Sequence, residues 1–199
     1  MSGATFETDI PNNDSISDIS VSTDEDTAKE IDLSSYVSDV DGDNLTYSVD
    51  SDPSNGTATI SGSTLTYTPD TNWYGTDSFT YSANDGTVDS DTGTIIVTVS
   101  SVNDAPITTD YSVGDAIEEV DYSIDVFDTD NSATGTKIVP TDTEGDTITI
   151  SIVSQPSNGT ASVSGQTITF SPDTDFDGID TLTYKANDGT DDSNTSTIT

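Results

Sequence analysis

Residues 79–87 read FTYSANDGT, and residues 182–190 read LTYKANDGT. In both stretches, apolar and polar residues alternate over five positions, and an Asn-Asp-Gly sequence follows. Alternation at period two puts one set of side chains on a buried face and the other in solvent, as a half-buried β-strand requires. Each stretch is therefore predicted to form a β-strand that ends in a turn.

These two stretches belong to an internal repeat with an offset of 103 residues. The register holds without a gap from the pair Asp39/Asp142 to about the pair Thr92/Thr195. Two copies of one domain therefore lie in tandem. We place the domains at residues 1–104 and 105–199, and we expect the last strand of the second copy to be cut off at Thr199.

Each copy has about seven short apolar runs separated by Gly, Pro, Asn and Asp, and no window supports a helix. This spacing is typical of an antiparallel sandwich. The predicted fold class is all-β, with two tandem Greek-key antiparallel β-sandwiches. Asn55-Gly56 and Asn158-Gly159 are predicted to be hairpin turn residues. The second copy carries about ten extra residues near positions 131–140, which we expect to form a surface loop.

The charge of the chain excludes several functions. The sequence has 38 Asp plus Glu against 3 Lys plus Arg, which gives a net charge of −35, and it has neither His nor Cys. Such a polyanion is repelled by nucleic acid and by anionic lipid, and no apolar run is long enough for membrane insertion. Without imidazole or thiolate ligands an ordinary zinc site is excluded. The abundant oxygen ligands suit Ca²⁺.

The sequence also resembles a known group of repeats. Residues 79–86, a further strand and the linker at residues 102–106, VNDAP, resemble the end of a cadherin repeat and its linker. They are closer still to the bacterial cadherin-like and Ig-like repeats of large secreted, RTX-type adhesins. The stretches at residues 39–43, DVDGD, and 72–79, NWYGTDSF, match that bacterial pattern too.

This resemblance implies a Ca²⁺ cluster at each junction between repeats. From the first copy and the linker, the implied ligands are Glu25, Asp70, Asn72, Asp85, the backbone of Asn103 and the carboxylate of Asp104. The second copy would supply an Asp-x-Asp element, either Asp128 with Asp130, which we prefer, or Asp142 with Glu144. Asp39 and Asp41 would face an absent preceding repeat, and Asp173, Asp175 and Asp188 an absent following repeat.

The predicted function is a calcium-rigidified spacer in a bacterial surface adhesin, acting outside the cell as a monomer without enzymatic activity. Its partners would be neighbouring repeats of the same chain, with cell-surface glycan or protein bound through other domains. Two alternatives stay open: a carbohydrate- or protein-ligand-binding module of an extracellular protein, and a homophilic adhesive pair. Two near-copies of one fold rarely make an active site, and no sequence feature marks a cleft with paired carboxylates.

Overall fold

A computed structural model describes residues 15–39, 42–114, 116–127 and 139–199. The chain forms two compact units, residues 1–102 and residues 103–199. The predicted insertion near residues 131–140 lies almost entirely outside the described residues. The same is true of Asp41, Asp128 and Asp130.

Unit 1 contains nine strands and a single turn of 3₁₀ helix at Leu33–Ser35 among its described residues. The strands are β1 (Ser15–Ile16), β2 (Ile19–Asp24), β3 (Lys29–Asp32), β4 (Val37–Ser38), β5 (Thr46–Ser51), β6 (Gly56–Ser61), β7 (Thr64–Pro69), β8 (Gly75–Asn84) and β9 (Gly93–Ser100). A four-stranded sheet has the order β2-β9-β8-β5, and a three-stranded sheet has the order β3-β7-β6. The chain changes sheet between β5 and β6 and again between β7 and β8, which is the Greek-key connection that the repeat predicts.

The period-two pattern determines which side chains form the core. Along β9 every second residue is buried, and Ile95, Val97 and Val99 face inward. Between the sheets, the ring of Tyr67 stacks on that of Phe79 with the centroids 5.8 Å apart. One pairing departs from the antiparallel prediction, because β2 runs parallel to β9 from Ile19 to Asp24.

Unit 2 repeats this arrangement, but its last two strands are shorter than β8 and β9. They are β10 (Tyr122–Asp125), β11 (Thr149–Ser154), β12 (Gly159–Ser164), β13 (Thr167–Pro172), β14 (Leu182–Asn187) and β15 (Ser196–Ile198). One sheet has the order β11-β14-β15 and the other β10-β13-β12. The core includes Ile124, Ile168 and Tyr184, all nearly inaccessible to solvent. The prediction of two all-β sandwiches is therefore confirmed.

The hairpin prediction for Asn55-Gly56 is wrong. These residues connect β5 to β6, which lie in different sheets, and Gly56 is the first residue of β6. The hairpin between β6 and β7 turns at Gly62, whose φ is +63°. Gly56 is required for another reason, because a Cβ atom there would lie 2.5 Å from the carbonyl oxygen of Thr68. Asn158-Gly159 is placed in the same way, and Gly159 begins β12.

One carboxylate holds that connection in each unit. Asp77, only 3% exposed, accepts hydrogen bonds from the backbone amides of Ser54 and Asn55 at 3.1 and 2.8 Å. Asp180 accepts the equivalent bonds from Ser157 and Asn158 at 3.0 and 2.7 Å. The carboxylates replace the sheet partners that these amides lack, so the two acidic residues are structural.

The glycine positions can be tested by a pair of substitutions. Gly56→Ala should lower the free energy of unfolding of unit 1 by about 2 kcal/mol, because the new methyl group meets a strand backbone. Gly62→Ala is the matched control, with open space around its Cβ position and only the cost of a positive φ, about 1 kcal/mol. Urea unfolding followed by fluorescence of Trp73, the single Trp, measures both. An equal or smaller loss for Gly56→Ala would contradict the close approach.

The Asp180 carboxylate predicts a pH dependence for unit 2. Burial would raise the pKa of Asp180, but the amides of Asn158, Ser157 and Thr181 outweigh it and hold the pKa below its usual value. The stabilisation is thus present above the unfolded pKa of about 3.9 and is lost as the pH falls through the lower folded pKa.

Asp180→Asn should cost about 1–3 kcal/mol at pH 7 and progressively less below about pH 4. Urea titrations followed by amide NMR signals of β12 and β13 provide the measurement. Asp177→Asn, an exposed neighbour, should change the stability little at either pH. A loss for Asp180→Asn that is the same at every pH would show that its charge plays no part.

Candidate metal site

In unit 1, a buried carboxylate lies where two parallel strands end together. Glu25 follows β2, and its amide donates to the carbonyl oxygen of Ser100 at the end of β9, at 2.9 Å. Its Oε1 accepts from the amide of Val102 at 2.6 Å, and the residue is 4% exposed. Its Oε2 is buried without a hydrogen-bond partner. A buried acceptor without a donor is costly, and a hard cation would satisfy it.

In the folded unit 1, Asn72 and Asp70 lie near Glu25. The amide of Asn72 donates to Oδ1 of Asp26, the residue after Glu25, at 3.1 Å. Asn72 and Asp26 both adopt positive φ angles, of 54° and 55°, which short polar side chains tolerate. The carbonyl of Asp70 caps the same turn by accepting from the amide of Trp73 at 3.1 Å. Both predicted ligands are exposed, so the structure brings them to this end without burying them.

Asp85 does not join this group. It precedes the turn into β9, and its Oδ1 accepts from the amides of Thr87 and Val88 at 2.6 and 2.8 Å. Glu25 contacts the last residue of β9, so the length of that strand, about 25 Å, separates the two positions. Within unit 1, Asp85 therefore belongs to the opposite end of the sheet.

The first residues of unit 2 are held by acidic side chains. Asn103 Nδ2 donates to Oδ2 of Asp188 and to Oδ2 of Asp191, both at 3.0 Å. The amide of Asp104 donates to Oε2 of Glu144 at 3.0 Å. Of the two elements that the sequence left open, the structure describes the Asp142-Glu144 alternative and brings it to Asp104. The preferred pair, Asp128 and Asp130, lies outside the described residues.

Three carboxylate oxygens in this part of unit 2 are buried without a hydrogen-bond partner. They are Oδ2 of Asp104, Oδ2 of Asp142 and Oε1 of Glu144. Asp142 uses its other oxygen to accept from the amide of Asp146 at 2.7 Å. Carboxylates that share a region without donors repel one another and favour a bound cation.

Asp188 lies at the opposite end of its domain from the one that the sequence predicted. We expected it to face a following repeat, but it contacts Asn103 at the start of unit 2 and is 8% exposed. The amides of Asp191 and Thr190 hold the pKa of Asp188 below its usual value, so it stays ionised. The signal was present in the Asn-Asp-Gly turn, since a turn after β14 must lie at the end from which β15 starts.

The donor atoms fit a hard cation, but their spacing is not that of a filled site. Across the described ranges, no three Asp or Glu side chains are close enough together to hold a metal ion as they stand. The buried oxygens without donors are the evidence of fit, because each is a hard oxygen ligand that no hydrogen bond satisfies.

Comparison with known proteins identifies the family. A bacterial Ig domain model matches residues 9–98 and again residues 103–199. The chain belongs to the bacterial Ig domain family. Its two units are thus two tandem bacterial Ig domains. No curated protein matches the sequence. No helix in the described part of these Ig domains has the length and apolar character needed to cross a membrane.

Solved structures are similar to this chain at low identity. EC1-4 of Drosophila N-cadherin is 17% identical with a TM-score of 0.51, over 92% of this chain and 48% of that chain. EC1-2 of human mucin-like protocadherin is 16% identical with a TM-score of 0.46, over 93% of this chain and 95% of that chain. An endo-fucoidan hydrolase of glycoside hydrolase family 107 is 24% identical with a TM-score of 0.37. That match covers 92% of this chain, which spans 27% of the hydrolase.

Glu25 offers a test of the buried carboxylate in unit 1. In chelator, Glu25→Gln keeps an acceptor for the Val102 amide and removes a buried charge, so it should stabilise unit 1 by up to about 1 kcal/mol. Glu25→Ala also removes the acceptor and should destabilise unit 1 by about 1–2 kcal/mol. Urea unfolding followed by Trp73 fluorescence separates the two. A comparable loss for both variants would show that the charge itself stabilises the apo fold.

Proposed function

We propose that these bacterial Ig domains form a calcium-binding spacer of an extracellular, adhesin-type protein. The observation that carries the proposal is the set of three buried carboxylate oxygens without hydrogen-bond partners at the start of unit 2. Extracellular location and adhesion are typical of bacterial Ig and cadherin-like domains.

The chemistry of the donors favours Ca²⁺ over other metals. With no His or Cys in the sequence, every side-chain ligand is a hard oxygen. Ca²⁺ accepts six to eight oxygens in flexible geometry, so backbone carbonyls and water can complete a site that side chains only begin. Mg²⁺ requires a tighter octahedron and releases water reluctantly. Asp104, Asp142 and Glu144 would hold the ion, and Asp188 and Asn103 lie next to them in the hydrogen-bond network.

A bound ion would restrain the peptide between the two units. Val102 is held by Glu25 in unit 1, and Asn103 and Asp104 are held by acidic side chains in unit 2. Calcium bound to Asp104 would therefore order a residue close to the peptide bond that joins Val102 to Asn103. A stiff connection of this kind suits a spacer. With a Kd of roughly 10⁻⁴ to 10⁻³ M, typical of extracellular modules, the site would be filled outside a cell.

The proposal predicts a calcium-dependent stability that resides in unit 2. At a tenfold excess of Ca²⁺ over Kd, the folded state should gain about 1.4 kcal/mol. The double variant Asp142→Asn/Glu144→Gln should lose most of that gain and raise Kd at least tenfold. Amide NMR of unit 2 during a Ca²⁺ titration, with thermal melts in Ca²⁺ and in chelator, measures both quantities.

Three controls make the test specific. Asp173→Asn removes one exposed carboxylate outside this network and should keep the full calcium response. Asp128→Asn/Asp130→Asn tests the other Asp-x-Asp element at the same change in charge. NaCl at matched ionic strength measures simple screening of the −35 charge. Equal stabilisation by NaCl and Ca²⁺, or an unchanged response in Asp142→Asn/Glu144→Gln, would contradict the proposed site.

The spacer role has its own measurement. Small-angle scattering of the whole chain should show a narrower distribution of interatomic distances in Ca²⁺ than in chelator, because fewer connection geometries are populated. The Asp142→Asn/Glu144→Gln chain should give the chelator profile under both conditions. Calcium binding without any change in scattering would support the metal site but contradict the stiffening role.

A further inference from the structure

The outermost strand β12 of unit 2 is capped by a side chain. β12 lies at the end of the sheet order β10-β13-β12, so one of its edges has no strand beside it. At this edge, Gln155 Nε2 donates to the carbonyl oxygen of Ala161 at 3.0 Å, and the amide of Ala161 donates to Gln155 Oε1 at 2.7 Å. The two bonds reproduce the pair that a residue of a neighbouring antiparallel strand would form. Gln155 therefore takes the place of a missing strand.

The equivalent edge in unit 1 lacks this cap. β6 lies at the end of the sheet order β3-β7-β6, and the repeat places Ala58 at the position of Ala161 and Asp52 at that of Gln155. An ionised carboxylate has no hydrogen to donate to the carbonyl oxygen of Ala58, and Asp52 is exposed. Among the described residues, β7 is the only strand paired with β6, and no side chain caps Ala58. The backbone groups of Ala58 are thus open to a partner.

β6 also lacks the features that keep exposed edges from pairing, namely charged residues, proline and bulges. The other edge strands of the two main sheets of unit 1, β2, β3 and β5, each contain an acidic residue, and the pairing of β5 has a register shift. β6 has the sequence GTATIS and pairs with β7 over its whole length without a shift. Residues 53–69 contain no charged residue. A regular, uncharged edge is therefore exposed on a chain of net charge −35.

We propose that the edge of β6 pairs antiparallel with the edge of β6 in a second copy of this chain. The position of the Gln155 cap shows which backbone groups point to this edge: those of Ala58 and, by alternation, those of Gly56 and Ile60. With the twofold axis at Ala58, Ala58 forms a hydrogen-bonded pair with Ala58 of the second copy. Gly56 forms one with Ile60 of the second copy. The contact uses the same patch on both copies, as a closed dimer requires.

The side chains of β6 suit this register. Gly56, Ala58 and Ile60 lie on the half-buried face of the strand, and Thr57 and Thr59 lie on the exposed face. Gly56 has no side chain, so it leaves room for Ile60 of the second copy, while Ala58 lies opposite its own equivalent. On the exposed face, Thr57 lies opposite Thr59 of the second copy, and cross-strand Thr pairs stabilise a sheet.

Charge favours a second copy as the occupant of this edge. Residues 53–69 offer no charge that an oppositely charged partner could recognise, whereas a second β6 is itself uncharged. Two such chains repel each other over much of their surface, and this stretch lets them meet without facing charges. Asp52 lies just outside the stretch, so its charge weakens pairing at low salt. The carboxylates assigned to calcium take no part.

The test compares two substitutions that remove the same charge. Asp52→Gln gives unit 1 the side chain that caps unit 2, so it should cap Ala58 and weaken association at least tenfold. Asp52→Asn is one methylene shorter, does not reach Ala58, and should associate at least as tightly as the unchanged chain. Sedimentation equilibrium of the whole chain measures the dimer Kd, in chelator and about 1 M NaCl, where the Debye length is about 3 Å. Urea unfolding followed by Trp73 fluorescence checks that both variants are folded.

Amide exchange locates the contact. In the unchanged chain, exchange at Ala58 and Ile60 should slow as the protein concentration rises, whereas in Asp52→Gln exchange at Ala58 should be slow at every concentration. Gln155→Asn removes the cap from β12 and should create a second associating edge, detected as species larger than a dimer.

Three results would each overturn the proposal: no association of the unchanged chain at millimolar concentration, equal association of Asp52→Asn and Asp52→Gln, or slowed exchange confined to residues outside β6. Saturable binding of a free GTATIS peptide by a chain that does not self-associate would also overturn it, and would assign the edge to a separate peptide.

Discussion

The structure depends on how an excess of carboxylates is satisfied with almost no cations. Against 38 acidic residues the chain has 3 basic ones, and in the described ranges a single ion pair is found, Lys185 with Asp192. Backbone amides donate hydrogen bonds to many of these carboxylates, in place of cations. In this way Asp77 and Asp180 hold the connection between sheets. Asp85 and Asp188 each hold a turn. Some buried carboxylate oxygens have no amide or other donor, and a divalent ion is the chemically suitable partner for them.

Much of the fold could be predicted because its determinants are local. Residues 79–83 alternate strictly, and the 103-residue repeat shows that the same pattern is used twice, so class, domain number and core positions follow. The hairpin prediction for Gly56 was wrong because glycine is required there by the carbonyl oxygen of Thr68, which lies in a neighbouring strand and 12 residues away in the sequence. A close approach between strands does not change the local sequence pattern. A positive φ, as at Gly62, coincides with a turn that the sequence pattern does indicate.

The candidate site was predictable in composition but only partly in location. Which end of a domain a turn occupies depends on strand direction, and alternation does not encode direction. Asp85 was assigned through the resemblance to cadherin-like repeats, and the structure places it at the end of unit 1 opposite Glu25, whereas Asp188 lies at the start of unit 2. Glu25 and Asp104 were assigned through the resemblance to cadherin-like repeats, and the structure buries one oxygen of each without a donor. Asp77 was missed, because one buried Asp among so many acidic residues has no distinguishing neighbour in the sequence.

We propose that carboxylates without amide donors, and not acidic residues in general, bind calcium. The most direct measurement is side-chain carboxylate ¹³C NMR during a Ca²⁺ titration at constant ionic strength. We expect saturable shifts for Asp104, Asp142 and Glu144, with little change at Asp180, whose oxygens already accept amide hydrogen bonds. Small, unsaturated shifts distributed evenly over exposed and buried carboxylates would contradict it and would reduce calcium to a screening ion.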